Sequence, residues 1–152
     1  MIEYAVFAAG CFWGVEETFR DLPGVVTTAV GYTGGTFANP SYRDVCAGRT
    51  GHAEAVKVSF DPEQISYVEL LGTFWKCHDP TTPNRQGSDV GSQYRSAIYY
   101  ANESQQLAAE ASLIQQRGSG HYRQPIVTEI ASLTDFWLAE SEHQQYLARH
   151  RT

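Results

Sequence analysis

Long apolar runs, a basic excess and paired cysteines are all missing from this 152-residue chain, and each absence closes off a class of function. No stretch approaches the roughly 18 apolar residues that a helix needs to cross a bilayer. No charged leader with an apolar segment and small-residue cleavage site precedes the first strand-like run, so the expected location is the cytoplasm. Net charge is −6, from 11 Lys and Arg against 17 Asp and Glu, which excludes a nucleic-acid binder because no basic face is left to engage phosphates. Arg149, His150 and Arg151 form a short basic tail that reads as a solvated end rather than a membrane contact. The three cysteines, at 11, 46 and 77, make neither a disulfide framework nor a CxxC pair. Cys46, His52, Cys77 and His78 carry zinc-ligand chemistry, but their spacing matches no structural zinc pattern, and no metal is expected.

What is present is an ordinary globular composition, 42% apolar and 18% charged, without repeats or linkers, and a single domain over 1–152 is expected. Residues 2–9 are apolar and β-rich and predict a buried strand. Phe12, Val15, Phe19 and Leu22 then recur at helical spacing until Pro23-Gly24 stops the helix. Val25 to Tyr32 predicts a second strand closed by Gly34-Gly35, and "AEAVKVSF" an alternating third. Ser66 to His78 reads as a helix with a Val68/Leu71/Trp75 stripe, and Glu103 to Arg117 as one with Leu107, Ala111 and Ile114 facing inward. "QYRSAIYYA" reads as a strand between them, "PIVTEIASL" as a short one, and Asp135 as the N-cap of a last helix through Ala148. The β-α-β-β-α-β order predicts an α+β fold, a ferredoxin-like sandwich with a mainly antiparallel sheet, helices on one side and long loops around a site.

The chemistry centres on "AAGCFWGVEETF". Strand, Gly10, Cys11, then helix places a thiol at a helix N-terminus, where unpaired N–H groups and the dipole favour thiolate. Such positions lower a cysteine from its usual pKa of about 8.5. Gly10 and Gly14 permit close approach, and Trp13, off the apolar stripe, is expected to wall a pocket beside the thiol. "DPTTPNRQGSDVG" is polar, Pro/Gly-rich and long for a compact domain, which favours a functional loop.

"GCFWG", "GYTGG", "YRDVCAGRTGHAEAVKVSFDP", "FWKCHDPT", "NRQGSDVGSQYRSAI" and "AESEHQQYL" resemble, in this order over nearly the whole chain, the A-type peptide methionine sulfoxide reductases. Enzymes of this class repair one epimer of methionine sulfoxide. The resemblance implies Cys11 as nucleophile, Glu54 as the acid that protonates the sulfoxide oxygen, and Tyr42 and Tyr94 as hydroxyl donors. It implies that Phe12 and Trp13 hold the S-methyl group, that Asp89 anchors the substrate backbone, and that the S epimer is taken. Burial of Glu54 would keep it protonated near neutrality. His52, Asn84, Arg85 and Gln86 read as supports, and His78, Asp79 and Pro80 as a helix stop and pocket rim.

Turnover leaves Cys11 as a sulfenic acid, which a thiol must recycle. Many members carry that thiol in a C-terminal tail, whereas here no cysteine follows Cys77. The expected reductant is an external thiol: thioredoxin, glutaredoxin, glutathione or dithiothreitol. Cys77 is the internal alternative, a thiol beyond residue 152 a third, and Cys46 reads as packing. No bound cofactor is expected; methionine sulfoxide in peptides and proteins and a thiol reductant protein are the expected partners of a monomer. Two other classes stay open on the residues alone. One is a peroxidase or Cys-His acyl transferase, for which no histidine has an obvious orienting acid; the other is a non-catalytic ferredoxin-like module that binds a small ligand.

Overall fold

Strand β1 (Glu3–Ala9) leads into α1 (Phe12–Arg20), β2 (Val25–Thr33), α2 (Tyr42–Cys46), β3 (Ala53–Phe60) and α3 (Tyr67–Lys76). Next come the short strands β4 (Arg85–Gln86) and β5 (Asp89–Val90), then β6 (Ser96–Tyr100), α4 (Glu103–Gly118), β7 (Glu129–Ser132), β8 (Trp137–Leu138) and α5 (Tyr146–Arg149). This is a computed structural model that describes residues 1–150, so Arg151 of the basic tail lies outside the described residues. Six strands form one sheet in the order β7-β6-β1-β3-β2-β8, and β4 and β5 pair as a separate hairpin. Every pairing in the large sheet is antiparallel except β6 with β7. The four inner strands, β6-β1-β3-β2, joined through α1 and α3, have the expected ferredoxin-like order.

Burial explains this layering. β1 is buried from Ala5 to Ala9, as its apolar run predicts. On one face of the sheet Phe7, Val30, Val56, Val58 and Ile98 pack with Phe12, Val15 and Phe19 of α1 and Leu70, Leu71, Phe74 and Trp75 of α3. Phe7 is the hub, stacked on Phe19 with ring centroids 5.1 Å apart and tilted against Phe74 at 5.3 Å. Each such buried aromatic stabilises the fold by roughly 1.5–3 kcal/mol. The opposite face is lined by small residues (Val6, Ala8, Ala53, Ala55, Ala97) around Tyr99 and is covered by Ala131, Leu133 and Phe136. Glu54 lies on β3 with the same parity as Val56 and Val58, so it shares the face that α1 covers.

Three expectations fail in detail. Val68 is exposed, because α3 turns its Leu70/Leu71/Phe74/Trp75 side inward instead. A capping box starts this helix: Ser66 Oγ accepts from the Glu69 amide at 3.0 Å, and Glu69 accepts from the Ser66 amide at 3.3 Å. On α4, Leu107 and Ile114 are exposed and the buried residues are Gln105 and Ala109. Gln105 stays inside because its amide donates to the Tyr4 carbonyl at 2.8 Å and its oxygen accepts from the Ala101 amide at 2.9 Å. No helix begins at Asp135. The chain there adds β8 to the edge of β2 and passes a 3₁₀ turn, Ser141–His143, before α5. The polar run 140–145 offers no apolar face for a helix to bury.

Glycine at 35 is a steric requirement. A Cβ there would sit 2.4 Å from the His52 amide nitrogen and the Thr50 carbonyl oxygen, just ahead of β3. Gly72, within α3, has open space where a Cβ would go. Gly35→Ala should therefore lower the melting temperature sharply, whereas Gly72→Ala should raise stability by about 0.5–1 kcal/mol. Equal effects of the two substitutions in thermal unfolding would contradict this packing.

Candidate active site

Gly10 makes the turn from β1 into α1 with φ +102°, a conformation that favours glycine. A Cβ at this position would also lie 2.8 Å from Cγ of Gln86, so the β4–β5 hairpin rests directly on the turn. Gln86 secures the hairpin by accepting from the Asp79 amide at 2.9 Å and donating to the Asp79 carbonyl at 2.8 Å. Asp89 faces Gln86 across this hairpin and is exposed. Cys11 follows Gly10 as the N-cap of α1 and is partly buried.

The thiol does not behave as its helix position alone predicts. Burial pushes Cys11 up to about 11, although the Trp13 and Gly14 amides pull it down; the charges of Glu54 and Asp89 add to the rise. Desolvation exceeds the dipole here, and the resting group is a thiol. Next to it Glu54, 1% exposed, accepts from the Phe12 amide at 3.1 Å through Oε1. Its Oε2 is buried without a hydrogen-bond partner. Burial pushes this carboxyl up to about 7, against the Phe12 hydrogen bond and helped by the nearby Asp89 charge. A protonated carboxyl with one unengaged oxygen is a ready proton donor.

Tyrosines surround the pair. Tyr94 stands in the 3₁₀ turn Ser92–Tyr94, just before the strand in which it was expected. Burial, then the charges of Glu54, Cys46, Asp89 and Cys11, push its phenol up to about 12. Tyr42 opens α2, where a loop is expected from the sequence, and Cys46 of the same helix neighbours its hydroxyl. Burial, then the neighbouring Cys46, raise Tyr42 as well, so both phenols remain donors. Phe12 is fully buried, 5.7 Å from Tyr32 and 6.3 Å from Tyr42 between ring centroids. Trp13 is half-buried: its indole N–H donates to His143 Nδ1 at 3.1 Å, and its ring stacks on Tyr146 at 3.9 Å.

Several supports escaped the sequence reading. Tyr32, Glu140, His143, Gln144 and Tyr146 all bear on the site, although the sequence predicts a helix through residues 140–148. The missing apolar periodicity in "ESEHQQY" was the available signal. His52 is a support, as expected: Nδ1 accepts from the Gly35 amide at 3.0 Å and Nε2 donates to the Phe37 carbonyl at 2.7 Å. His78 spans Phe74 O and Ser96 Oγ, and burial lowers it to about 4, which keeps it neutral. With both rings committed to protein partners, the four zinc-type residues do not converge; among the described residues no group of three His, Cys, Asp or Glu is placed to hold a metal. Cys77 caps α3 with its thiol donating to the Phe74 carbonyl at 3.3 Å, and burial raises it to about 12.

The family model for peptide methionine sulfoxide reductase matches residues 3–152. Over 148 residues the chain is 58% identical to the peptide methionine sulfoxide reductase MsrA of Methanoculleus marisnigri, covering 97% of this chain and 90% of that one. The solved methionine sulfoxide reductase A of Corynebacterium diphtheriae superposes with a TM-score of 0.88 at 42% identity, covering 98% of this chain and 75% of that one. Mxr1 of Saccharomyces cerevisiae, in complex with Trx2, superposes with a TM-score of 0.64 at 26% identity, covering 95% of this chain and 84% of that one. A thiol beside a buried carboxyl, in a chain matched almost end to end at this identity, places the protein in the peptide methionine sulfoxide reductase family.

Proposed function

We propose that this enzyme reduces the S epimer of methionine sulfoxide, free or within proteins, with Cys11 as nucleophile and Glu54 as proton donor. One observation carries the reading: Glu54 Oε2 is buried without a partner, on a carboxyl held near pH 7, beside the only cysteine at the head of α1. The polarised sulfoxide brings the positive sulfur that this site lacks. Glu54 gives its proton to the sulfoxide oxygen, aided by Tyr42 and Tyr94, as Cys11 sulfur attacks. The oxygen passes to Cys11, its bond to the methionine sulfur breaks, and the thiol's proton restores Glu54. Cys11 is thereby oxidised to sulfenic acid as the methionine sulfur is reduced by two electrons.

Trp13 supplies the surface for the S-methyl group, Phe12, wholly buried, backs the site through its ring contact with Tyr42, and Asp89 accepts from the substrate amide. With the oxygen on one set of donors and the methyl on the other, only one epimer fits. A thiol reductant then attacks the sulfenic acid, releasing water and leaving a mixed disulfide that a second thiol clears. The Mxr1–Trx2 complex supports a thioredoxin-type protein in this role. Cys77, packed into the end of α3 with its proton committed to Phe74, favours an external thiol over an internal one. The domain over 1–152 acts as a cytoplasmic monomer in this reading, without a bound cofactor; no helix among the described residues is long and apolar enough to cross a membrane.

Cys11→Ser should form no methionine in a single turnover with racemic sulfoxide peptide, while wild type consumes the S epimer alone. Methionine from the variant, or equal loss of both epimers in wild type, would sink the mechanism. Glu54→Gln should slow the reaction by ~10²–10⁴-fold near neutral pH. Because the acid form is the active one, wild-type kcat/KM attributable to Glu54 should fall as pH rises through about 7. That fall should be absent from the Gln variant, as read from paired pH–rate profiles; the same fall in both would assign it to another group.

A further inference from the structure

Glu140 holds two parts of the site at once. Its carboxylate accepts from the Tyr32 hydroxyl on β2 at 2.9 Å and from the Tyr42 backbone amide on α2 at 2.9 Å. Desolvation pushes this carboxyl up, but the Tyr42 amide, its own backbone amide, the Tyr32 hydroxyl and nearby His143 together hold it below the ordinary value. It is an ionised acceptor fixed at the site. The segment that carries it is pinned on both sides. The Ala139 amide donates to the Val30 carbonyl at 2.9 Å, and the Gln144 side chain accepts from the Val30 amide at 2.8 Å. Gln145 adopts left-handed backbone (φ 49°) and donates its amide to buried Glu16 at 2.7 Å.

α2 has only five residues and one fully buried side chain, Val45. Cys46, the neighbour of the Tyr42 hydroxyl, belongs to the same short helix and moves with it. What fixes the hydroxyl relative to Glu54 therefore comes from outside α2: the Glu140 bond at its first amide, and ring contacts of Tyr42 with His143 at 4.4 Å and Phe12 at 6.3 Å. We infer that Glu140 is a positioning residue, which sets the Tyr42 hydroxyl where it meets the sulfoxide oxygen and so acts on the reaction only through Tyr42. This rests on the role given to Tyr42 above.

The test is a double-mutant cycle on single-turnover methionine formation, with thermal unfolding of each variant as a check on folding. Tyr42→Phe and Glu140→Ala should each slow the step by about tenfold or more, and the double variant should be no more than about twofold slower than the slower single. Glu140→Gln should stay within about threefold of wild type, because its amide oxygen can still accept from the Tyr42 N–H while its NH₂ donates to the Tyr32 oxygen. If Glu140→Ala does not fold, Glu140→Asp, which draws the acceptors back by one methylene, takes its place in the cycle with the same expected non-additivity. Losses that multiply in the double variant, or a Glu140→Ala enzyme at wild-type rate, would overturn the positioning role alone. Tyr42→Phe at wild-type rate would instead refute the role of Tyr42, and the inference with it.

Discussion

Taking the carboxyl of Glu54 out of water is the constraint on which the site depends. A buried carboxylate without a cation is costly, and the less expensive state is the neutral acid. The groups that act on Glu54 do not reverse this: the Phe12 amide gives one hydrogen bond, and Asp89 adds negative charge. The same burial keeps Cys11 a thiol, and the ionisable side chains that act on it, Glu54 and Asp89, are acids rather than cations. A thiol enzyme of the Cys-His kind is organised the other way, with an imidazole to take the proton. Here His52 and His78 have both ring nitrogens committed to other partners and His143 accepts from the Trp13 indole, so among the described residues no imidazole is bonded to the Cys11 thiol as the acyl-transferase reading requires. The positive charge must arrive with the substrate, and a sulfoxide sulfur brings it.

The fold serves that one carboxyl. β3 places Glu54 on the face that α1 covers, and the Gly10 turn brings the Phe12 amide to 3.1 Å from it. Donors come from separate elements, Tyr42 from α2 and Tyr94 from the turn before β6. Neither element is large, and their places are set by side-chain bonds to backbone rather than by extensive burial. Arg95 illustrates this, donating to the Ser92 carbonyl at 2.9 Å and to the Gly51 carbonyl at 2.9 Å, so that it ties the Tyr94 turn to the approach of β3. His52 does the same for the Gly35 loop.

The inner sheet was legible in the sequence because its strands carry unbroken or alternating apolar runs, and α1 because Phe12, Val15 and Phe19 repeat at helical spacing. The helix faces were harder to read. α4 buries alanine and a glutamine whose amide replaces a lost backbone partner, and no hydropathy pattern distinguishes that from an exposed face. The C-terminal segment was misread because Asp135 resembles an N-cap, whereas its carbonyl accepts from the Thr33 hydroxyl at 2.7 Å. Cys11 and Glu54 were found together and lie together. The sign of the shift at Cys11 was not legible, since helix position can be read from sequence and desolvation cannot. Glu140, His143, Gln144 and Gln145 were invisible as supports because each bonds to an element more than 90 positions away.

The most direct test is to watch the Glu54 proton itself. Infrared difference spectra between wild type and Glu54→Gln, recorded across a pH series without substrate, isolate the carbonyl stretch of this one carboxyl. A protonated-carboxyl band that persists at pH 6 and disappears with a midpoint about 7 is the predicted result. A band already lost by about pH 5, as for an ordinary solvated glutamate, would mean that Glu54 is ionised at neutrality and cannot be the proton donor.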